Sequence, residues 1–168
     1  MGSLAALLAA QRAAPGDEAF MREAIRLSAE AVRHGNEPFG AVLVHDGRIV
    51  CTNENQIYTR HDPTYHAEVG LVRRFCAETG VTDLSNYTLY SSCEPCFMCS
   101  GALAWARLGT LVYGASDRDL GRIRGKEGSD CSSMVFAHSP HAPKVRAGVL
   151  EEEAVAVLAD YFGGRAGA

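Results

Sequence analysis

Strand-like and helix-like segments alternate along this chain, and that alternation restricts the possible folds more than any other feature. Apolar residues recur at helical spacing from Asp17 to His34, where Gly35-Asn36 provides a stop. Strand-like runs at Gly40–Val44 and Arg48–Thr52 flank His45-Asp46-Gly47 and predict a hairpin. We therefore expect an α/β fold that opens with a helix and a hairpin.

The rest of the chain continues the same alternation. Asp62-Pro63 predicts the start of a helix that runs to Gly80, because Asp is a good N-cap and Pro is favoured at the first helical position. Further helices are predicted from Pro95 to about Leu108 and over Glu151–Phe162. A sheet of about five strands with helices packed on both faces follows. The remaining strands are predicted at Tyr87–Ser91, Thr110–Gly114 and Lys144–Val149.

The length of 168 residues predicts a single domain, residues 1–168. Residues 1–16 are expected to form a flexible or weakly helical N-terminal extension. The apolar run Leu4–Leu8 lies there, but no basic residue precedes it, so we expect no signal peptide. No later apolar run is long enough to span a membrane, so no membrane partner is expected.

The six cysteines are unevenly distributed. Cys93, Cys96 and Cys99 lie within one short stretch, whereas the other three are scattered. Such clustering indicates metal binding in a reducing compartment rather than a disulfide scaffold. We therefore expect a cytoplasmic protein.

The formal net charge of -4 argues against nucleic acid as the main partner. One basic cluster lies between Gly114 and Gly128, in a segment predicted to be a loop with room for a short helix. It could hold a phosphate or an RNA backbone, although a basic run of this kind is more often a solvated loop. The cluster consists of Arg118, Arg122, Arg124 and Lys126.

His66, Cys96 and Cys99 are the candidate ligands of a zinc ion. Cys96 and Cys99 are three residues apart, so they lie on one face of their predicted helix, whose N-terminus favours thiolate. Three protein ligands leave the fourth tetrahedral position open to water, as in catalytic zinc sites. The alternative is a closed structural site in which Cys93 is the fourth ligand, but Cys93 precedes Pro95 on extended chain and would have to bend back.

Glu68 lies two residues after His66 and is not needed as a ligand. Zinc in such a site lowers the pKa of a bound water to roughly 7. A carboxylate at this position can accept the proton of that water and return protons to a substrate ring and to departing ammonia. We therefore predict that Glu68 is the proton shuttle of a hydrolytic deamination.

The two motifs together match a known signature. His66-Ala67-Glu68 and Pro95-Cys96-Phe97-Met98-Cys99 are the H-x-E and P-C-x-x-C of the zinc deaminases. From about residue 18 to about residue 162, the chain resembles the cytidine deaminase-like superfamily, in particular its purine-acting branch. Further similar segments are Glu37–Val44, Asn55, His61–Thr64 and Ser92–Cys96.

This resemblance implies a three-layer αβα sandwich with a central mixed sheet, and a homodimer. It implies that Asn55 binds the substrate ring, although Asn is also an ordinary turn residue at the end of a strand. Asp130 is loosely similar to an aspartate that touches the substrate in guanine deaminases, although a plain loop role is equally consistent. Trp105 is flanked by alanines within a predicted helix, which favours core packing over base stacking.

The sequence is mixed between two substrate classes. Cys93–Cys96 with Ala104–Arg107 is more similar to bacterial guanine deaminases, whereas Arg60–Thr64 and Val149–Phe162 are similar to tRNA adenosine deaminases. We predict a zinc-dependent deaminase of a small free nucleobase, nucleoside or related aminoheterocycle, guanine being the best single candidate. The alternatives are a tRNA-specific adenosine deaminase and a noncatalytic zinc-stabilised binding protein.

Overall fold

The computed structural model describes residues 14–165, and in them the strands and helices follow the predicted alternation. Five strands form one sheet: β1 (Gly40–His45), β2 (Arg48–Glu54), β3 (Thr88–Cys93), β4 (Thr110–Ala115) and β5 (Lys144–Ala147). The α-helices are α1 (Asp17–Arg33), α2 (Ala67–Thr79), α3 (Phe97–Trp105), α4 (Asp117–Ile123), α5 (Cys131–Ala137) and α6 (Glu151–Phe162), and a short 3-10 turn follows at Gly163–Arg165.

The sheet is mixed, as predicted. Its strand order is β2-β1-β3-β4-β5, with β1 antiparallel to both of its neighbours and β3, β4 and β5 parallel. Because β3 and β4 are parallel, their carboxyl ends meet at one edge, where Cys93 is paired with Ala115. The pairing extends one residue further, since Glu94 N–H donates to the Ala115 carbonyl (2.7 Å). The segments that leave these two strands therefore lie side by side.

Helices cover both faces of the sheet, which confirms the three-layer αβα sandwich. Alternate residues of β1 point to opposite faces, as the pleat of a strand requires. Ala41 and Leu43 pack in one apolar cluster with residues of α2 and α3, while Val42 and Val44 pack in another with residues of α1 and α6. The apolar runs of the central strands are thus buried on both sides.

The start of α2 differs from the prediction. The helix begins at Ala67 rather than at Asp62-Pro63. Asp62 Oδ1 accepts hydrogen bonds from the Thr64 N–H (2.9 Å) and the Thr64 hydroxyl (2.6 Å), and the Tyr65 N–H donates to the Asp62 carbonyl (3.0 Å). The Asp-Pro pair therefore closes a turn, a use of Asp that competes with helix capping.

Two other predicted elements end earlier than expected. Helix α3 ends at Trp105 rather than near Leu108, because the chain reverses through Arg107, whose φ of 58° is left-handed. Strand β5 ends at Ala147 rather than at Val149. The short helix α5 was not predicted at all, whereas α6 has the predicted bounds.

The predicted N-terminal extension lies outside the described residues as far as residue 13, and residues 14–16 lead into α1 through a turn. Among the described helices, none combines the length and the apolar character that crossing a bilayer requires.

Candidate active site

The predicted ligands stand at the starts of two helices. His66 is the N-cap residue of α2 and Cys96 that of α3, and both have extended backbone, with ψ of 159° and 175°. Neither side chain makes a capping hydrogen bond to its own helix. Cys99 lies in the first turn of α3 and is fully buried. The imidazole and the two thiols are therefore available to a shared ligand.

The three side chains converge as a zinc site requires. One ligand atom from each of His66, Cys96 and Cys99 lies within 4.8 Å of the other two, and His66 Nδ1 is 3.6 Å from Cys96 Sγ. Tetrahedral zinc with bond lengths of about 2.0–2.3 Å places its ligands roughly 3.5 Å apart. The residues present therefore fit one zinc ion. Within residues 14–165, Cys93 does not belong to this group.

Hydrogen bonds within the group shift the pKa values of its members in opposite directions. The bond from the Cys99 thiol, followed by that with His66, lowers the pKa of Cys96 despite its partial burial. The same bond with Cys96 raises the pKa of His66 above its ordinary value. These contacts favour a thiolate at Cys96, and any proton that remains on either thiol has to leave when a metal binds.

Glu68 lies beside this group in the interior. Its Oε2 is 3.5 Å from Cys99 Sγ, and its Oε1 is 2.9 Å from Ser91 Oγ. The Ser91 hydroxyl is also within 2.6 Å of the Cys93 carbonyl oxygen. Burial, and secondly the charge of Cys96, raise the pKa of Glu68. The geometry gives Glu68 a fixed orientation and the ability to hold a proton.

Strand β2 fixes the position of the start of α2. The Asn53 side-chain amide, which is buried, donates to the Ala67 carbonyl (2.9 Å). The helix approaches closely because residue 70 is glycine: a Cβ atom at Gly70 would lie 2.6 Å from Asn53 Nδ2. Sequence reasoning missed Asn53 and Ser91, since nothing in the sequence marks either as different from other polar strand residues.

Asn55 makes the turn contact that the sequence left open, and one group of its side chain is unpaired. It is fully buried, and its Oδ1 accepts from the Ile57 N–H (3.2 Å), as in an Asx turn. Its backbone N–H donates to the Phe39 carbonyl (2.9 Å). Among the described residues, however, Asn55 Nδ2 has no hydrogen-bond partner. A buried unpaired amide costs free energy unless another molecule supplies the acceptor.

A small cavity opens beside the ligand group and holds about 130 Å³. Four carboxylates and one guanidinium line it, together with two apolar residues. Of the predicted site residues, His66, Glu68 and Cys96 line the cavity, whereas Asn55 and Asp130 do not. Part of the lining comes from α4, which was not predicted to take part. The lining residues are Glu37, Phe39, His66, Glu68, Cys93, Glu94, Cys96, Asp117, Leu120 and Arg124.

Asp130 is not among these lining residues. Its carboxylate accepts two hydrogen bonds from Arg118, from Nε (2.8 Å) and Nη2 (2.7 Å). The residues of the predicted basic cluster have separate partners. Arg118 pairs with Asp130, and Arg122 pairs with Asp119 (3.1 Å). Arg124 instead stacks over the Phe162 ring, 4.0 Å from its centroid. The cluster is therefore not a continuous cationic surface.

The core packing predicted for Trp105 is wrong. This side chain is 86% exposed at the end of α3. Phe97 and Met98 of α3, and Met134 of the neighbouring helix α5, are exposed as well. An apolar surface defined by these four residues therefore lies on the outside of the α3 layer, and we call it the α3 surface.

A mixed sheet between two helical layers, with one imidazole and two thiols at the starts of adjacent helices, defines the class of zinc-dependent deaminase folds. Residues 15–115 match the model of the family described as the cytidine and deoxycytidylate deaminase zinc-binding region. The chain belongs to this family, as its motifs predicted, and zinc is the metal that the family's site holds.

Curated relatives of two kinds are similar to the chain. The guanine deaminase of Bacillus subtilis is 45% identical over 103 residues, which cover 61% of this chain and 66% of that protein, slightly less than two thirds. The tRNA-specific adenosine deaminase of Agrobacterium fabrum is 36% identical over 143 residues, covering 85% of this chain and 91% of that protein. The chain spans only 12% of the chloroplastic tRNA(adenine(34)) deaminase of Arabidopsis thaliana.

The solved structures that are similar to the chain include the same two kinds of deaminase. One, from a study of A-to-I editing by tRNA:A34 deaminases, superimposes with a TM-score of 0.71 and 35% identity, covering 82% of this chain and 97% of that one. The guanine deaminase of Nitrosomonas europaea superimposes with a TM-score of 0.75 and 26% identity, covering 95% and 93%.

Proposed function

We propose that this protein hydrolytically deaminates a free aminopurine base or closely related heterocycle, with guanine as the preferred substrate, and releases ammonia. The cavity carries the proposal. Its volume of about 130 Å³ is small beside the roughly 300–1,000 Å³ of sites for drug-sized ligands. Of its four carboxylates, Glu37 can accept hydrogen bonds from ring N–H and amino groups, and the four together repel phosphate.

The distribution of basic residues also favours a free base over RNA. Binding to RNA relies on lysines and arginines that neutralise phosphates. Here Arg118 and Arg122 are each paired with a carboxylate, and the chain has a formal net charge of -4. One observation favours the tRNA-specific alternative: the match to the Agrobacterium fabrum enzyme covers 91% of that protein.

The proposed zinc ligands are His66, Cys96 and Cys99. When bound, zinc acts as a Lewis acid that activates water near neutral pH. Glu68 would take the two protons of the attacking water in turn and would pass one to a ring nitrogen and the other to the amine that leaves as ammonia. In its protonated state, Glu68 can donate to Ser91 Oγ while the Ser91 hydroxyl donates to the Cys93 carbonyl. Ser91 therefore holds the carboxyl group in the same orientation before and after proton transfer.

The unpaired Nδ2 of Asn55 is the proposed donor to an acceptor atom of the substrate ring. Its Oδ1 is already engaged by the Ile57 N–H, so the amide orientation that offers Nδ2 is fixed. Asp130, by contrast, is assigned to holding Arg118 across the loop, and its contact with substrate stays a prediction of the sequence alone.

Two further proposals concern the state of the protein in the cell. The α3 surface supports a homodimer, since contiguous exposed apolar side chains commonly mark an interface. If so, Trp105→Glu should shift the protein to monomer in analytical ultracentrifugation, whereas an unchanged sedimentation coefficient would place the interface elsewhere. All six cysteines are free thiols, which supports a location in the reducing cytoplasm.

The substrate is tested by measuring ammonia release from guanine, other aminoheterocycles and nucleosides, alongside inosine formation in tRNA at low and moderate salt. We expect guanine to give the highest kcat/KM. Glu68→Ala, purified in parallel, controls for contaminating deaminases. Efficient inosine formation with no activity on any free base or nucleoside would overturn the proposal in favour of the tRNA enzyme.

A further inference from the structure

Glu94 joins three parts of the molecule through one buried carboxylate. The residue is 7% exposed and lies directly after β3. Its Oε2 accepts from the N–H of Asp117, the first residue of α4 (3.0 Å). Its Oε1 accepts from the N–H of Ser132 in the first turn of α5 (3.2 Å) and from the Ser132 hydroxyl. Partners 23 and 38 residues away are thus held by one side chain.

The elements held by Glu94 form one wall of the cavity. Asp117, Leu120 and Arg124 line the cavity from α4 and its C-terminal end. The loop between α4 and α5 packs tightly on α4, because a Cβ atom at Gly121 would lie 2.5 Å from the Gly128 nitrogen. This wall, residues 117–137, is attached to the β3 side of the cavity by Glu94 and by Cys131, whose Sγ lies 3.1 Å from the Pro95 carbonyl oxygen.

Glu94 also adjoins the turn that carries Cys96, one of the proposed zinc ligands. Glu94 precedes Pro95-Cys96 and itself lines the cavity. Charge-assisted hydrogen bonds from N–H groups to a carboxylate are stronger than those between neutral groups. We propose that Glu94 is a positioning residue that fixes the wall relative to the Cys96 turn and thereby sets KM for the substrate. This inference rests on the proposed function, because KM presupposes that the substrate occupies this cavity.

The direct test is Glu94→Gln. Glutamine has one oxygen in place of two, so either the Asp117 N–H or the Ser132 N–H loses its acceptor. We expect KM to rise about ten-fold with kcat changed less than about two-fold. Zinc content should stay at the wild-type value. Hydrogen exchange of the backbone amides of residues 117–137 should become faster.

Two variants separate positioning from other roles. Asp119→Asn alters another buried carboxylate of α4, which accepts from Ser116 N–H (2.9 Å) and does not line the cavity. It should speed exchange in α4 and leave KM unchanged. Ser132→Ala removes one donor to Glu94 and should raise KM by a smaller factor, with a less than additive effect in the double variant Glu94→Gln/Ser132→Ala.

Several results would overturn the positioning role. They are loss of zinc in Glu94→Gln, faster exchange with no change in KM, or a KM effect of Glu94→Gln that Ser132→Ala does not share, as direct contact with substrate would give. If the wild type acts only on tRNA, the proposed substrate fails, and the same KM comparison is made with tRNA. If the wild type turns over neither substrate, hydrogen exchange still tests whether Glu94 attaches the wall. Glu94→Gln should then speed exchange over residues 117–137, whereas Asp119→Asn should speed it in α4.

Discussion

The helices that border the cavity begin in two different ways. The N-cap residues of α2 and α3 are His66 and Cys96, whose side chains make no capping hydrogen bond. The N-cap residue of α4 is Ser116, whose hydroxyl accepts from the Asp119 N–H (3.1 Å) while the Asp119 carboxylate accepts from the Ser116 N–H (2.9 Å). An N-cap side chain contributes about 1 kcal/mol, which α2 and α3 forgo at the positions that supply ligands.

The contrast between α4 and the other two helices shows that an N-cap side chain can serve either helix stability or ligand binding. The N-cap side chain lies at the helix end with a free donor or acceptor, so it can bind either its own helix or an external ligand. In α4 it is used for the helix. In α2 and α3 it remains free for the metal, whose binding to the folded state restores stability by mass action.

The largest expected effect comes from removing a ligand at an uncapped start. Cys99→Ser should lose zinc, and with it all measurable deaminase activity, because two remaining ligands do not make a stable tetrahedral site. Cys93→Ser should keep about one zinc per chain. Metal analysis of the two purified variants checks this, and the opposite pattern would make Cys93 a ligand and Cys99 a packing residue.

Glu68→Ala should leave zinc content and folding intact and lower kcat by at least the 10²–10⁴-fold typical of a lost proton shuttle. Rates of ammonia release at saturating substrate, with metal analysis on the same preparation, measure it. Turnover near the wild-type rate would remove this carboxylate from the mechanism and revive a noncatalytic function for the zinc group.

Asn55→Ala should reduce kcat/KM by a factor that corresponds to about 1–3 kcal/mol of transition-state binding. This is the cost of leaving a polar group of the ring unpaired. Asn55→Asp keeps an acceptor for the Ile57 N–H but has no amide donor. A loss shared by both variants therefore identifies Nδ2 as its source. If Asn55→Ala instead only lowers the unfolding free energy, with kcat/KM unchanged, Asn55 is a turn residue alone.

The smallest effect is expected at the capped start. Ser116→Ala should lower the free energy of unfolding by about 1 kcal/mol with zinc content unchanged, because the cap contacts only α4. Urea denaturation gives the free energy, and metal analysis gives the zinc content. Zinc loss in this variant would show that the N-cap of α4 also supports the metal site, which contradicts the distinction drawn between the helices.

The ligand side of the cavity could be predicted from sequence because its chemistry lies in two short motifs. The spacing of Cys96 and Cys99 alone places them on one helical face. The bounds of α6 could also be predicted, since acidic residues mark its start and glycines follow its end. Both kinds of signal are local.

The wall of the cavity could not be predicted because its signals are not local. α5 is seven residues long, too short to display a helical period, and it contains two adjacent serines. The role of Glu94 depends on Asp117 and Ser132, which only the fold brings to it. Asp130 was considered a possible substrate contact, yet Arg118, twelve residues earlier, occupies its carboxylate.

The α3 surface has a spectroscopic consequence. Trp105 is the chain's single tryptophan, so all tryptophan fluorescence arises from one exposed indole. Water around an indole shifts its emission to longer wavelength, and burial against a second copy would shift it back. If the α3 surface is the proposed dimer interface, emission recorded across a dilution series reports the monomer–dimer equilibrium without any label. Acrylamide quenching should weaken as protein concentration rises, and the midpoint of that change gives the dissociation constant.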